Sequence, residues 1–405
     1  MSRSKFLIAL SLFLSSVLFM AACRQTVTLT PPVTTDEPVV EASAVVQPSA
    51  TPNPSATATE TAAPTETPTL TPTPLVSGPI NFPDNVNPLT GLLVADPAVL
   101  IRNPIMVKIA NFPRGLRPHS GLSFADIVFE HYIGVGATRF SAIFYGENPD
   151  AAGPVRSGRL VDAQLGNAYN SLFAFSSADP FVFGRIVNAL LDRAVNEGPN
   201  TCPALCRTGT GDVNSVFADP ALMTSYAQEQ RAIVPIMQNL NGTRFDPAVP
   251  EAGKNGLKVS VQYSVTTVSA WEFDPASGEY LRFIDSVDAN NTFSIVPLTD
   301  RLTGAQLSFA NVVVLFAQHT EFTPTLHDIE ILGNTFGRRA LLFRDGQVFD
   351  VVWRAQGPRA PIQFFTLAGD LIALRPGQTW IHLVGVNSSA AEVATGEWQV
   401  IFSIP

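Results

Sequence analysis

The stretch Gly153-Pro154-Val155-Arg156-Ser157-Gly158-Arg159 holds the residue types of an anion cradle. Glycine lets a backbone approach a ligand closely. A helix beginning near Ser157 would turn free N–H groups and partial positive charge outward. Arg156 and Arg159 are three residues apart and would share a helical face, and Arg139 would reach them from a neighbouring strand. Arginine forks suit phosphate or carboxylate, so Arg139, Arg156, Ser157 and Arg159 are the expected ligand-binding set. Asp126 and Glu130 are the candidates for a catalytic base if the site does chemistry. A structural reading competes: the arginines would pair with Asp126, Glu130 and Asp162 and fix a sheet-to-helix junction, because ion-pair networks imitate functional sites.

Other chemistry is thinly represented. His119-Ser120 with Asp126 supplies triad residue types, but adjacent loop residues rarely present triad geometry. The chain has no Gly-x-Ser-x-Gly elbow, phosphate-binding Walker loop or His-Glu-x-x-His. His319, Glu321, His327, Asp328 and Glu330 crowd one stretch, where Pro324 and irregular spacing favour a solvated loop over a metal site. Trp353 and Trp380 read as sheet core. No metal and no cofactor are expected.

The elements that must position the arginines follow from periodicity. Ile105–Ala110 reads as a buried strand. Asp126–Ile133 and Thr138–Tyr145 are apolar, β-branched and aromatic runs around Gly134-Val135-Gly136, a hairpin signal. Arg156–Ala168 and Phe181–Val195 have helical spacing, and Ser171–Ser176 is a further strand. Residues 80–255 are therefore expected as a mixed α/β domain. From 256 to 405 the pattern becomes strand-rich: Lys258–Thr266 alternates with period two, Asp274–Gly278 forms a turn, and Asp345-Gly346 is a hairpin signal. A smaller β-rich domain, barrel-like or a curved sheet, is expected there, making the whole α+β.

The start of the chain gives an address. Arg3 and Lys5 precede an apolar run, Phe6 to Met20, that closes on Met20-Ala21-Ala22-Cys23. These are the parts of a signal peptide, with small residues before the cleavage point. Residues 1–23 are thus expected as a lipoprotein signal, with Cys23 lipid-modified and the protein held at the extracytoplasmic face of the cell membrane. Residues 24–79 are almost wholly Thr, Pro, Ala, Ser and Val with few charges, too poor in apolar mass to offset ordering entropy. They are expected as a disordered stalk.

Compartment also bears on Cys202 and Cys206, four apart in a Pro- and Gly-rich loop. Outside the cytoplasm such a pair is expected as a structural disulfide. Residues 80–405 carry 22 basic and 29 acidic residues, which argues against nucleic acid as a partner.

Three motif groups carry a resemblance: Asn87-Pro88-Leu89-Thr90-Gly91-Leu92; Arg117-Pro118-His119-Ser120-Gly121-Leu122-Ser123 with Ala125–Glu130; and Thr138-Arg139-Phe140 with Gly153–Arg159. With Tyr280-Leu281-Arg282, Asn311–Val314 and Pro376-Gly377-Gln378-Thr379-Trp380, the chain resembles the YerB-like family of bacterial lipoproteins of unknown function. The resemblance implies a mixed α/β N-terminal domain, a smaller β-rich C-terminal domain and a lipid anchor, and supplies no reaction. Members often carry an acidic residue just before the Gly-Gly of the hairpin turn, where Gly134 stands here.

The expected function is a non-enzymatic, membrane-anchored binding module for an anionic envelope component, such as a cell-wall polymer, or for a surface protein. The alternative is an envelope hydrolase or transferase acting on a phosphorylated glycan or lipid-linked substrate.

Overall fold

The computed structural model describes residues 76–209, 212 and 214–404. The signal peptide, Cys23 and the stalk as far as residue 75 lie outside the described residues. Among the described residues no helix is long and apolar enough to cross a membrane.

The hairpin that carries Arg139 sets the geometry. Strands Ile127–Gly134 and Ala137–Phe144 meet at Val135-Gly136, whose φ values are 46° and 76°. Gly134 itself has φ 101°, and a Cβ there would lie 2.0 Å from the Pro324 carbonyl oxygen, so the position tolerates only glycine. Pairing sets Phe129 opposite Ser141 and His131 opposite Arg139. Side chains alternate along a strand, so these four face one way while Val128, Glu130 and Phe140 face the other. Ile105–Ala110 pairs antiparallel with Ala137–Phe144, with Lys108 opposite Ser141. Lys108 therefore joins the His131–Arg139 face.

The sheet extends in both directions. Leu172–Phe175 pairs parallel with Ile105–Ala110, and Ala194–Asn196 parallel with Leu172–Phe175. On the opposite side Thr379–Gly385 runs parallel to Ile127–Gly134, and Asn311–Ala317 parallel to Thr379–Gly385. Arg338–Arg344, Gln347–Arg354 and Gln363–Phe365 follow in antiparallel order. Among the described residues this sheet has 11 strands, and strands before and after residue 256 pair directly within it.

Helices α1 (Leu160–Ala168) and α2 (Pro180–Leu190) cover one face. Leu160, Leu165, Val182, Ile186 and Leu190 bury against Met106, Phe129, Phe173 and Phe175. The other face packs on a second sheet of seven strands and on α3 (Pro220–Arg231) through Val107, Val128, Phe140, Val261, Trp271 and Met223. The fold is α+β, and the strands after residue 256 divide between the two large sheets apart from one separate two-stranded hairpin.

Several element bounds differ from the sequence expectation. The helix expected from Arg156 starts at Leu160, because residues 154–156 still pair with the Ile105–Ala110 strand: Ala110 N–H donates to the Pro154 carbonyl and Arg156 N–H to that of Lys108. The helix expected to reach Val195 ends at Leu190, and Ala194–Asn196 enters the sheet. Helix α3 has no counterpart in the sequence expectation. Asp219 accepts from Leu222 N at 2.9 Å and Pro220 starts the helix, but only Pro220, Met223 and Ala227 are buried, too thin a stripe for a periodicity reading. The expected loop around His319–Glu330 is a hairpin of His319–Thr323 with Leu326–Ile329. Cys202 and Cys206 are joined by a disulfide.

Candidate anion-binding site

Four polar side chains meet under α1 with no exposure to solvent. Lys108 Nζ stands 2.8 Å from Asp162 Oδ1, 3.0 Å from Ser141 Oγ and 2.5 Å from His131 Nε2. Ser141 Oγ donates to Asp162 Oδ1 at 2.6 Å. Lys108 and Asp162 are each 0% exposed, so this is a buried ion pair with its remaining lone pairs occupied. Burial lowers the Lys108 ammonium from its ordinary value, and the contact with Asp162 opposes that shift. Burial, with Lys108 beside it, holds the His131 ring neutral. Asp162 Oδ2 accepts the Arg159 N–H at 2.6 Å, so one carboxylate both neutralises Lys108 and begins α1.

The arginines converge above this pair. Arg139 Nη1 donates to the Ser157 carbonyl at 2.6 Å, and Arg159 Nη1 donates to the same oxygen at 3.3 Å and to that of Gly158 at 2.9 Å. Arg156 makes no side-chain hydrogen bond among the described residues, and the Nε atoms of Arg156 and Arg159 are buried without a partner. No carboxylate of the described residues lies within ion-pair distance of Arg139, Arg156 or Arg159. Burial depresses the Arg139 guanidinium first, and repulsion from Arg159 and Arg156 adds to it; arginine still remains charged at neutral pH. Asp179, exposed at the start of α2, and Asp162 attract Arg159 at longer range. Ser157 Oγ is 3.0 Å from Ser177 Oγ.

The cradle differs in construction from the sequence expectation. Its main-chain donors are mostly used: Arg156 N–H goes to Lys108, Gly158 N–H to the Ser177 carbonyl at 2.8 Å, and Arg159 N–H to Asp162. Gly158 serves packing, since a Cβ there would meet Ile186 at 2.6 Å. Arg156 precedes the helix and does not share its face with Arg159. The free donors are guanidinium groups, assembled where α1 and α2 begin, beyond the carboxyl ends of the parallel strands Ile105–Ala110 and Leu172–Phe175. Open α/β sheets hold ligands at that end.

Neither candidate base faces the arginines. Glu130 projects from the opposite face of the hairpin and is 0% exposed, with Oε2 3.0 Å from Arg282 Nη2. Ser269 and Thr138 hydroxyls donate to it as well. Arg282 lies between the rings of Trp271 and Trp380, at 4.8 and 4.9 Å from their centroids. Asp126 sits at the wall of a groove of about 740 Å³, but accepts from Tyr145 N at 2.5 Å, Gly146 N at 3.2 Å and Asn87 Nδ2 at 2.5 Å. Burial raises its carboxyl to about 6. Ser120 Oγ donates to the Ala151 carbonyl at 2.6 Å, so it does not join His119 in a triad.

Sequence reasoning missed Lys108, His131 and Ser141. A signal was present: Lys108 is one of four lysines in the chain and stands inside a run read as a buried strand, where a lysine requires a partner.

Residues 89–232 match the family model described as protein of unknown function (DUF3048), N-terminal domain, and residues 259–381 match its C-terminal domain. The chain belongs to the YerB-like DUF3048 family. It is 29% identical over 322 residues to the protein of Bacillus subtilis (strain 168) named "Putative lipoprotein YerB", covering 76% of this chain and 89% of that one. It also resembles the crystal structure of the YerB protein from Bacillus subtilis, with a TM-score of 0.60 and 25% identity over 74% of this chain and 96% of that one. In this YerB-like chain the arginine cluster lies within the N-terminal DUF3048 match. The Glu130–Arg282 ion pair joins the N-terminal match to the C-terminal one.

Proposed function

We propose that this YerB-like protein is an anion-binding module, held at the extracytoplasmic face of the membrane through lipid-modified Cys23, with Arg139, Arg156, Ser157 and Arg159 as its contacts. Its ligand is an anionic component of the cell envelope. One observation carries the reading: three guanidiniums are gathered, partly buried, with no carboxylate in ion-pair contact among the described residues. Gathering like charges in a partly desolvated place costs free energy that an anion would offset. Arg282, Arg344 and Arg114, by contrast, each stand in ion-pair contact with a carboxylate. Similarity to a protein named as a lipoprotein supports membrane association.

The test is thermal unfolding of the full chain in a panel of inorganic phosphate, sulfate and a phosphorylated wall polymer. Phosphate or the polymer should raise the melting temperature, and Arg156→Ala should abolish the rise. Arg156 has no side-chain hydrogen bond among the described residues to lose, so this variant should fold. No rise with any anion of the panel would remove the reading.

A further inference from the structure

The charge count around the cluster says more about the ligand than its sign. Lys108, Arg139, Arg156 and Arg159 supply four cationic groups. Facing them are Asp162, in contact with Lys108 at 2.8 Å, and Asp179, more distant and already accepting from Phe181 N at 2.9 Å. The surplus is two positive charges. Arg139 is 9% exposed and uses only Nη1, on the Ser157 carbonyl; its other donors have no partner among the described residues. Arg159 uses only Nη1 as well, and Arg156 uses none of its donors. Three forks thus present unused edges around one place, with the Ser157 and Ser177 hydroxyls at its rim.

A carboxylate offers one charge and two oxygens, and a phosphodiester one charge and two unsubstituted oxygens. A phosphomonoester offers close to two charges and three strong acceptor oxygens near neutral pH. We infer that the cluster takes the terminal phosphomonoester of its ligand, as the dianion, in preference to a phosphodiester backbone or a carboxylate. This inference rests on the anion-binding reading above and specifies its ligand. Lys108 contributes by keeping Asp162 from neutralising an arginine, so it is a positioning residue and does not touch the ligand.

The test is calorimetric titration of the full chain with methyl phosphate, dimethyl phosphate and acetate at pH 7.5 and low salt. Methyl phosphate should bind about tenfold or more tightly than the other two, since the second charge interacts with a surplus that the singly charged anions leave unmatched. Its affinity should fall as pH drops through the second phosphate ionisation near about 6. Arg156→Ala should weaken methyl phosphate while leaving the melting temperature of the free protein unlowered. Equal affinity for methyl and dimethyl phosphate would overturn the dianion inference and leave the anion site standing. No binding of any of the three would overturn the anion site as well. Dodecyl phosphate below its micellar concentration distinguishes the source. Binding tighter than that of methyl phosphate supports a lipid-borne monoester, and equal binding supports a soluble or polymer-borne one.

Discussion

Arg139 and Arg159 donate to one and the same acceptor, the carbonyl oxygen of Ser157, at 2.6 and 3.3 Å. A single neutral oxygen holds two guanidiniums together, with Arg156 beside them. The arrangement is repulsive, and its consequences can be measured in the free protein.

Relief of that repulsion should stabilise. Arg156→Met removes a cation whose side chain has no hydrogen-bond partner among the described residues, and should raise the unfolding free energy by about 0.5–1 kcal/mol at low ionic strength. The gain should shrink at high salt, where partly exposed charges are screened. Urea titrations at about 20 mM and 500 mM salt would test this; destabilisation by Arg156→Met at both would mean that the side chain supports the fold.

The Lys108–Asp162 pair should show the asymmetry of buried ion pairs. Lys108→Met leaves Asp162 charged and unpaired beneath α1, at a cost of about 3–5 kcal/mol. The double variant Lys108→Met/Asp162→Asn should recover part of that loss, because no uncompensated charge remains. A double variant less stable than Lys108→Met alone would contradict the account. If the single variant folds, it should bind phosphate more weakly, with Asp162 freed to attract the arginines.

Acid should destabilise this protein well before its carboxylates alone would require. Burial lowers His119 to about 3 and His319 to about 4, and holds His131 and His382 far below their ordinary value. Above about pH 6.5 these rings are neutral in both folded and unfolded chains. Below it the unfolded chain takes up protons that the folded chain refuses, so stability falls with pH. Asp126, raised to about 6, and Glu130 and Asp328, also raised by burial, act in the opposite direction as they protonate in the folded state. Four rings against three carboxyls leave a net loss on the order of several kcal/mol between pH 7.5 and 5. Urea midpoints at the two pH values measure it, and an unchanged or higher midpoint at pH 5 would refute it.

The Cys202–Cys206 bridge closes a loop with a sequence separation of 4. So short a loop restricts the unfolded chain little, and Cys202→Ala/Cys206→Ala should cost about 2 kcal/mol. The arginine cluster and its phosphate response should survive. Loss of phosphate binding in a variant that remains folded would tie the bridge to the site.

Features governed by chain neighbours are legible in the sequence. The Asp345-Gly346 turn has φ values of 52° and 71°, the mirror-image turn that this dipeptide favours. The hairpin around Val135-Gly136, the interior of α2 and the period-two strand at Lys258–Ser264 are likewise readable. The start of α1 is not. Arg156 looks helical by spacing, but long-range pairing to Lys108 holds its backbone extended, and tertiary hydrogen bonds override a local preference.

The sequence by itself determined the arginine-rich loop, the hairpin carrying Arg139, the close cysteine pair and the α+β class, because each depends on residues adjacent in the chain. Tertiary structure decided what those arginines face. Hairpin register turns Arg139 to one side of the sheet and Glu130 to the other, and a slip of one residue would reverse both. Asp162 reaches Lys108 across 54 residues and Arg282 reaches Glu130 across 152. Such partners are selected by packing and by the cost of burying an unpaired charge. That selection assigns carboxylates to Lys108 and Arg282 and leaves Arg139, Arg156 and Arg159 with none in ion-pair contact among the described residues.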